Sequence, residues 1–86
     1  MNIEFKDDIF LGETTEINLP IMVNGNQVIC IVTFEALEDI NPETQADEPM
    51  QQYLANEEKI KSIAERKIKS GHIVANKMVI YSADVL

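Results

Sequence analysis

Apolar and polar positions alternate along the first third of the chain with the period of two that is typical of β-strands. The clearest stretch is 17–34, INLPIMVNGNQVICIVTF, in which two apolar runs meet at Asn24-Gly25. Asn-Gly readily adopts the positive φ values that a tight two-residue turn requires. The pattern therefore predicts a β-hairpin, around which we expect the rest of the chain to be organised.

Placing Asn24-Gly25 in the turn determines which side chains share a face of the hairpin. One face is uniformly apolar and is assigned to the core: Ile17, Leu19, Ile21, Val28, Cys30 and Val32. The other face mixes polar residues with Met22, Ile29 and Ile31. Such a patch is typical of a partner surface, so these three residues are the candidate interface. The alternative is that the apolar run 9–11 covers them.

The two hairpin strands differ in their expected place in the sheet. Pro20 has no N–H to donate, which favours an edge or bulged strand for the first of them. The second strand, 28–32, is apolar on both faces and is predicted to be central. Ile3 and Phe5 alternate with polar residues and predict another strand, whereas the run 9–11 fits either a short strand or a packed loop.

Helical signals begin directly after the hairpin. Thr33 is placed to cap a short helix over 34–40, with Val32 and Leu37 at the positions of a hydrophobic staple. The segment 41–49, NPETQADEP, combines proline, asparagine and acidic residues, and it predicts a solvated connector.

A longer helical region follows over 50–70, as one helix or as two helices broken near Asn56, which is itself a possible cap. It ends at Gly71, as expected of a C′ glycine. Its apolar positions recur at helical spacing: Ile60, Ile63, Ala64 and Ile68. Its basic residues alternate with glutamates, which indicates a solvent-exposed, salt-bridged surface rather than a nucleic-acid patch: Lys59, Lys61, Arg66, Lys67 and Lys69.

The remaining residues, 72–86, return to β character, with a possible tight turn at Asn76-Lys77 between Ile73-Val74 and Met78–Tyr81. The whole pattern predicts a single α+β domain over 1–86. We expect two layers, with a mainly antiparallel sheet organised on the central hairpin and two to three helices packed on one face. The strand order is left open.

The composition disfavours some classes of function but does not identify one. The chain has 86 residues, 45% of them hydrophobic, and no apolar run approaches the roughly 18 residues that span a bilayer. Its N-terminal residues lack the basic and apolar regions of a secretory signal, which predicts a cytoplasmic location. The net charge of −8 opposes nonspecific binding to nucleic acid and to anionic membranes.

No motif for catalysis, a cofactor or a metal ion is present. A single cysteine excludes Cys-rich zinc sites, and with three glycines there is no phosphate-binding loop. Cys30 lies on the predicted core face, where a thiol is unreactive. The enzyme alternative is acid/base chemistry by His72, the one histidine, with a nearby carboxylate. No catalytic, cofactor-binding or metal-binding residue is predicted.

Several segments together resemble a known family. They are the strand and turn at Gly25, VICIVTFEALED over 28–39, Ile60 and Ala64 on a helix, and VIYSAD over 79–84. This pattern resembles a family of short bacterial proteins known as domain of unknown function 1488. The resemblance implies a compact α+β fold with helices on an antiparallel sheet. It implies no known activity and no catalytic residues.

These observations favour a small, acidic, non-enzymatic interaction or regulatory module. Its expected partner is a protein or a second copy of the chain, bound through the second face of the hairpin. The alternatives are the His72 enzyme and, less favoured, a nucleic-acid-binding regulator. No membrane association and no cofactor are expected.

Overall fold

Five strands and four helices are formed by the residues described in this computed structural model, which are 1–41, 43 and 48–86. In chain order they are β1 (Ile3–Phe5), β2 (Phe10–Leu11), β3 (Ile17–Val23), β4 (Asn26–Val32), α1 (Phe34–Asp39), α2 (Pro49–Ala55), α3 (Glu57–Lys69), β5 (Lys77–Ile80) and α4 (Ser82–Val85). The sheet order is β1-β3-β4-β5, and β2 also pairs with β3. The predicted α+β fold, with helices on a mostly antiparallel sheet, is confirmed.

The hairpin forms with the predicted register. Asn24 and Gly25 have φ values of 52° and 84°, as a tight turn of this type requires. The pairing runs from Val23 opposite Asn26 to Ile17 opposite Val32. All six residues assigned to the core face are at most 2% exposed. The turn dipeptide therefore determined both the register and the face that the helices cover.

Pro20 does not mark an edge, so the edge position predicted for this strand is wrong. Strand β3 is an inner strand with β4 on one side and β1 and β2 on the other. The carbonyl of Pro20 accepts a hydrogen bond from the Lys6 N–H at 3.0 Å, so in an antiparallel ladder its nitrogen faces the same side. On that side β1 has ended at Phe5 and β2 starts only at Phe10. The missing N–H falls in the gap between two short strands. As predicted, β4 is central.

The first helix starts as its sequence indicates. The Thr33 side chain accepts a hydrogen bond from the Ala36 N–H at 3.1 Å, which caps α1. Residues 42 and 44–47 of the predicted connector lie outside the described residues. Pro49 occupies the start of α2, where its fixed φ and missing N–H suit a helix.

The helical region is divided into two helices at Asn56. This residue has φ −126° and ψ 22°, and its side chain donates to the Gln52 carbonyl at 3.0 Å instead of capping α3. At the other end of α3, Gly71 has φ 79°, and the His72 N–H bonds to the Lys67 carbonyl at 3.1 Å. This arrangement is a Schellman motif, so Gly71 ends the helix as predicted.

The C-terminal strand differs from the predicted arrangement. Its turn lies at Ala75 and Asn76, one residue earlier than expected, and Val74 bridges Lys77. Strand β5 then pairs in parallel with β4, from Ile29 opposite Lys77 to Val32 opposite Ile80. Parallel neighbours need a long crossover connection, which α1, α2 and α3 supply. The sheet is therefore mixed at this one edge.

Ala75 has a φ of 52°, in the left-handed region that a Cβ atom disfavours. We expect Ala75→Gly to raise the free energy of unfolding by about 1 kcal/mol, because glycine adopts this conformation without the steric penalty. Thermal unfolding followed by circular dichroism measures the change. Ala55→Gly is the matched control, and we expect it to lower stability because Ala55 lies in helix α2. A loss of stability in both variants would contradict the prediction.

Candidate interaction surface

Alternate side chains of β3 and β4 project from the sheet on the side away from the helices. Met22, Ile29 and Ile31 lie there, and each is partly exposed. None of them is among the partly buried hydrophobic residues that pack against the core. Pairing of Pro20 with Ile29 places β3 and β4 side chains next to one another on this side. The three predicted residues therefore share one surface, which we call the open face.

The register extends the open face to both neighbouring strands. Phe10 of β2 is opposite Asn18, and Val79 of β5 is opposite Ile31, so both belong to the same side of the sheet. Phe10 is 51% exposed and lies at the border of the face rather than over it. Of its neighbours in the run 9–11, Ile9 packs against the core. Asn18, which is opposite Phe10, is only 8% exposed, so this end of the face is partly covered, whereas Met22, Ile29 and Ile31 are partly exposed.

Charged residues border the open face. Glu4 on β1 is in register with Met22, and Lys77 on β5 is in register with Ile29. Both side chains belong to exposed residues on the two outermost strands. The Glu4 carboxylate lies 4.0 Å from the Lys6 ammonium, and Lys77 forms no ion pair within the described ranges. The face thus has an apolar centre, the oppositely charged Glu4 and Lys6 at the β1 edge and the cationic Lys77 at the β5 edge.

A shallow cavity at one end of the open face is lined by Glu16 and Glu35 with Thr14, Ile31, Thr33 and Phe34. The Thr14 hydroxyl and the backbone N–H groups at Thr14 and Glu16 hydrogen-bond the Glu16 carboxylate and lower its pKa, against the weaker effect of burial. Glu16 therefore stays ionised at neutral pH. Among the described residues, no group of three or more metal-ligating side chains is present.

His72 does not form the site that the enzyme alternative requires. The residue is exposed, and its Nδ1 lies 3.2 Å from the backbone carbonyl oxygen of Lys67. No hydrogen bond or ion pair joins it to a carboxylate in the ranges that the structure describes. A general acid/base pair must lie within hydrogen-bond reach of the proton it transfers. The geometry brings no such pair together at His72.

Lys67 is not on the solvent-exposed surface of α3 where the charge pattern places it, and that assignment is wrong for this residue. It is 8% exposed, and its Nζ donates to the Val79 carbonyl at 2.6 Å and to Asp84 Oδ2 at 2.7 Å. We call these three residues the Lys67 clamp. Lys67 lies seven positions after Ile60 and three after Ala64, so it falls on the apolar stripe of the helix. That spacing was the sequence signal that Lys67 would lie on the buried side of the helix.

The Lys67 clamp occupies a backbone carbonyl on the outer edge of strand β5. Val79 belongs to β5, and its carbonyl points away from β4 towards the Lys67 ammonium. Charged groups at an edge strand oppose pairing with other chains. Partial burial raises the pKa of the Asp84 carboxyl, but hydrogen bonds from Lys67 and from the Tyr81 N–H outweigh it and lower the pKa overall. The clamp therefore stays an ion pair at neutral pH and ties α4 to α3.

The family model described as "Protein of unknown function (DUF1488)" matches residues 3–75. The chain belongs to the DUF1488 family. The family resemblance found in the sequence is therefore confirmed. The fold is also similar to a crystal structure of a DUF1488 protein of unknown function from Shewanella loihica PV-4, with a TM-score of 0.74 and 17% identity over 93% of this chain and 94% of that chain. No curated protein matches the chain significantly.

In this DUF1488 chain the cysteine thiol and one of the two tyrosine hydroxyls belong to fully buried residues. Cys30 is 0% exposed, and burial raises the pKa of its thiol to about 12. Tyr53 is also fully buried; burial, and then the charge of the Glu57 carboxylate, raise the pKa of its hydroxyl. Across the described ranges, no helix is both long and apolar enough to cross a bilayer.

Proposed function

We propose that this chain is a non-enzymatic interaction module that binds a protein partner through the open face, and that the partner is a second copy of the chain. The observation that carries the proposal is the partial exposure of Met22, Ile29 and Ile31 on the side of the sheet that faces away from the helices. Contiguous apolar surface of this kind is typical of interaction sites. Covering it with a second copy would remove it from water.

The charge distribution supports a protein partner over a nucleic acid. The basic residues of α3 alternate with glutamates, with Lys61 3.8 Å from Glu57 and Lys69 2.9 Å from Glu65. This arrangement neutralises cations that a phosphate backbone would otherwise attract. The net charge of −8 acts in the same direction. We further propose that the module acts as a single domain in the cytoplasm, where its single, buried thiol stays reduced.

Ile31 lies on the open face, on the strand between β3 and β5, and we expect Ile31→Glu to abolish self-association because it places a carboxylate in the surface that the partner would bury. Size-exclusion chromatography with light scattering, run over a wide concentration range, measures the mass. We expect the natural chain to approach the mass of a dimer as concentration rises. The variant should stay a monomer with an unchanged circular dichroism spectrum.

Leu54→Glu is the matched control for this experiment. Leu54 is 57% exposed on α2, away from the open face, so the substitution makes the same change from an aliphatic residue to a carboxylate at a different surface. We expect it to leave the dimer intact. A natural chain that is a monomer at every concentration would contradict the proposed self-association, and so would equal effects of the two substitutions.

A further inference from the structure

We propose that the outer edge of β5 binds a small organic carboxylate, which accepts hydrogen bonds from the Val79 N–H and the Lys77 ammonium and packs its apolar part on Tyr81. The site is a cavity of about 290 Å³. Its lining residues are Lys67, His72, Val74, Lys77, Met78, Val79 and Tyr81. The inference concerns a small ligand rather than a protein partner, so it does not rest on the proposed self-association.

The backbone groups on this edge leave one hydrogen-bond donor unused. The N–H and the carbonyl of Lys77 both bond to Val74, at 3.0 and 2.9 Å. The Val79 carbonyl points away from β4 and accepts from Lys67. The N–H of Val79 points to the same edge, and no acceptor for it is found among the described residues. A further strand would need donors and acceptors on this edge, whereas an anion needs only donors.

The charge of the cavity matches a carboxylate. Two ammonium groups, those of Lys67 and Lys77, line the cavity, and no carboxylate side chain does. Asp84 lies beside it and neutralises Lys67, with Oδ2 2.7 Å from the ammonium nitrogen. Lys77 has no ion pair within the described ranges and is therefore one cation in excess. A monoanion balances this excess, whereas a phosphate dianion would exceed it.

Other cavities in the described part of the chain do not share this property. Three of them are each lined by at least one glutamate: Glu16 and Glu35 in the first, Glu57 and Glu58 in the second, and Glu65 in the third. The net charge of −8 also repels anions over much of the surface. The cavity at β5 is therefore the better place for an anion than these three.

The cavity also offers apolar surface beside the donors. Tyr81 is 57% exposed and Val74 is 75% exposed, although both are large hydrophobic residues. The Tyr81 ring centroid lies 5.7 Å from the Lys67 ammonium nitrogen, so the ring stands close to the charged groups. A volume near the lower limit of ligand pockets fits one ring or a short aliphatic chain. The expected ligand is therefore a carboxylate joined to a small apolar group.

Titration with sodium benzoate at constant ionic strength tests the site, followed by the amide signals of the ¹⁵N-labelled chain in NMR spectra. We expect saturable shifts that are largest at Val79. Benzyl alcohol has the same ring without the charge, and it should bind several-fold more weakly. Lys77→Gln should weaken benzoate binding several-fold, because it removes the cation in excess.

Lys69→Gln is the matched control, because it also removes one ammonium group, from a side chain that is 60% exposed on α3 and pairs with Glu65. It should leave benzoate binding unchanged. The proposal is wrong if benzoate causes no saturable shift at Val79, or if benzyl alcohol binds as tightly. Equal effects of the two substitutions, or tighter binding of inorganic phosphate than of benzoate, would also overturn it.

Discussion

Replacing Lys67 with methionine is expected to lower the free energy of unfolding by about 2 kcal/mol, mainly because the Val79 carbonyl loses a charged donor. The substitution keeps the length and the apolar character of the side chain but removes the ammonium group that bonds Val79 and Asp84. The Asp84 carboxylate, whose side chain is 26% exposed, then loses its cation, and the Val79 carbonyl loses its donor. Urea unfolding followed by circular dichroism measures the loss, which is a large part of the total stability of a domain of this size.

The control is Lys69→Met, because the Lys69 side chain is 60% exposed and its pair with Glu65 lies on the surface. Exposed pairs contribute about 0.3 to 0.5 kcal/mol, so this variant should be nearly as stable as the natural chain. If Lys67→Met were equally stable, methionine packing would compensate for the clamp and the prediction would be contradicted.

The same experiment has a defined pH dependence. The pKa of Asp84 is lowered in the folded chain from its ordinary value of 3.8, so the folded state favours the ionised carboxyl. The stabilisation by the ionised Asp84 carboxylate is complete above the ordinary pKa of this group. It is lost as the pH falls through the lower pKa that Asp84 has in the folded chain. The difference in stability between the natural chain and Lys67→Met should therefore narrow in acid and stay constant near neutral pH.

Cys30 should react with a thiol reagent at least about 1,000 times more slowly in the folded chain than in urea, because the side chain must be exposed by unfolding before it can react. Two properties cause this: the residue is 0% exposed, and burial raises the pKa of its thiol to about 12, so the reactive thiolate is scarce at pH 8. When the thiol reagent is an aromatic disulfide, the absorbance of the aromatic thiol that it releases gives the rates in the folded chain and in urea.

Ser70→Cys supplies an internal control, because Ser70 is exposed at the end of α3. This variant should show one fast and one slow thiol in the folded state, and two fast thiols in urea. Fast reaction of both thiols without denaturant would show that Cys30 is accessible, and the assignment of this residue to an inert core position would then be wrong.

The parts of the fold that follow from local geometry were predictable. Asn24-Gly25 sets the register of every pair in the hairpin, and Thr33 is followed directly by the helix that it caps. The place of β3 in the sheet was not predictable in this way. Proline excludes an inner position only where a continuous neighbouring strand needs its N–H group. Here the two neighbouring strands on that side are short and leave a gap beside Pro20.

The pairing of β5 depends on the path of three helices rather than on its own residues, so the sequence around Asn76 indicated a hairpin instead. The candidate surface was likewise predictable only where it depends on residues that are close in sequence. Met22, Ile29 and Ile31 share a face because of the hairpin register, whereas the addition of Val79 to that face requires knowledge of the parallel pairing. Lys67 lies on an apolar stripe, but only the position of α4 shows which carboxylate it bonds.

The parallel pairing of β4 with β5 also implies an order of events during folding. The hairpin joins strands that are neighbours in sequence, so its loop closes at little entropic cost. The pairing of Ile80 with Val32 instead joins residues that are far apart in the sequence, and contacts between distant residues form slowly. Until they form, the outer edge of β4 presents unpaired backbone groups in an apolar strand. Aggregation during refolding would therefore begin at this strand, which the native sheet places at its centre.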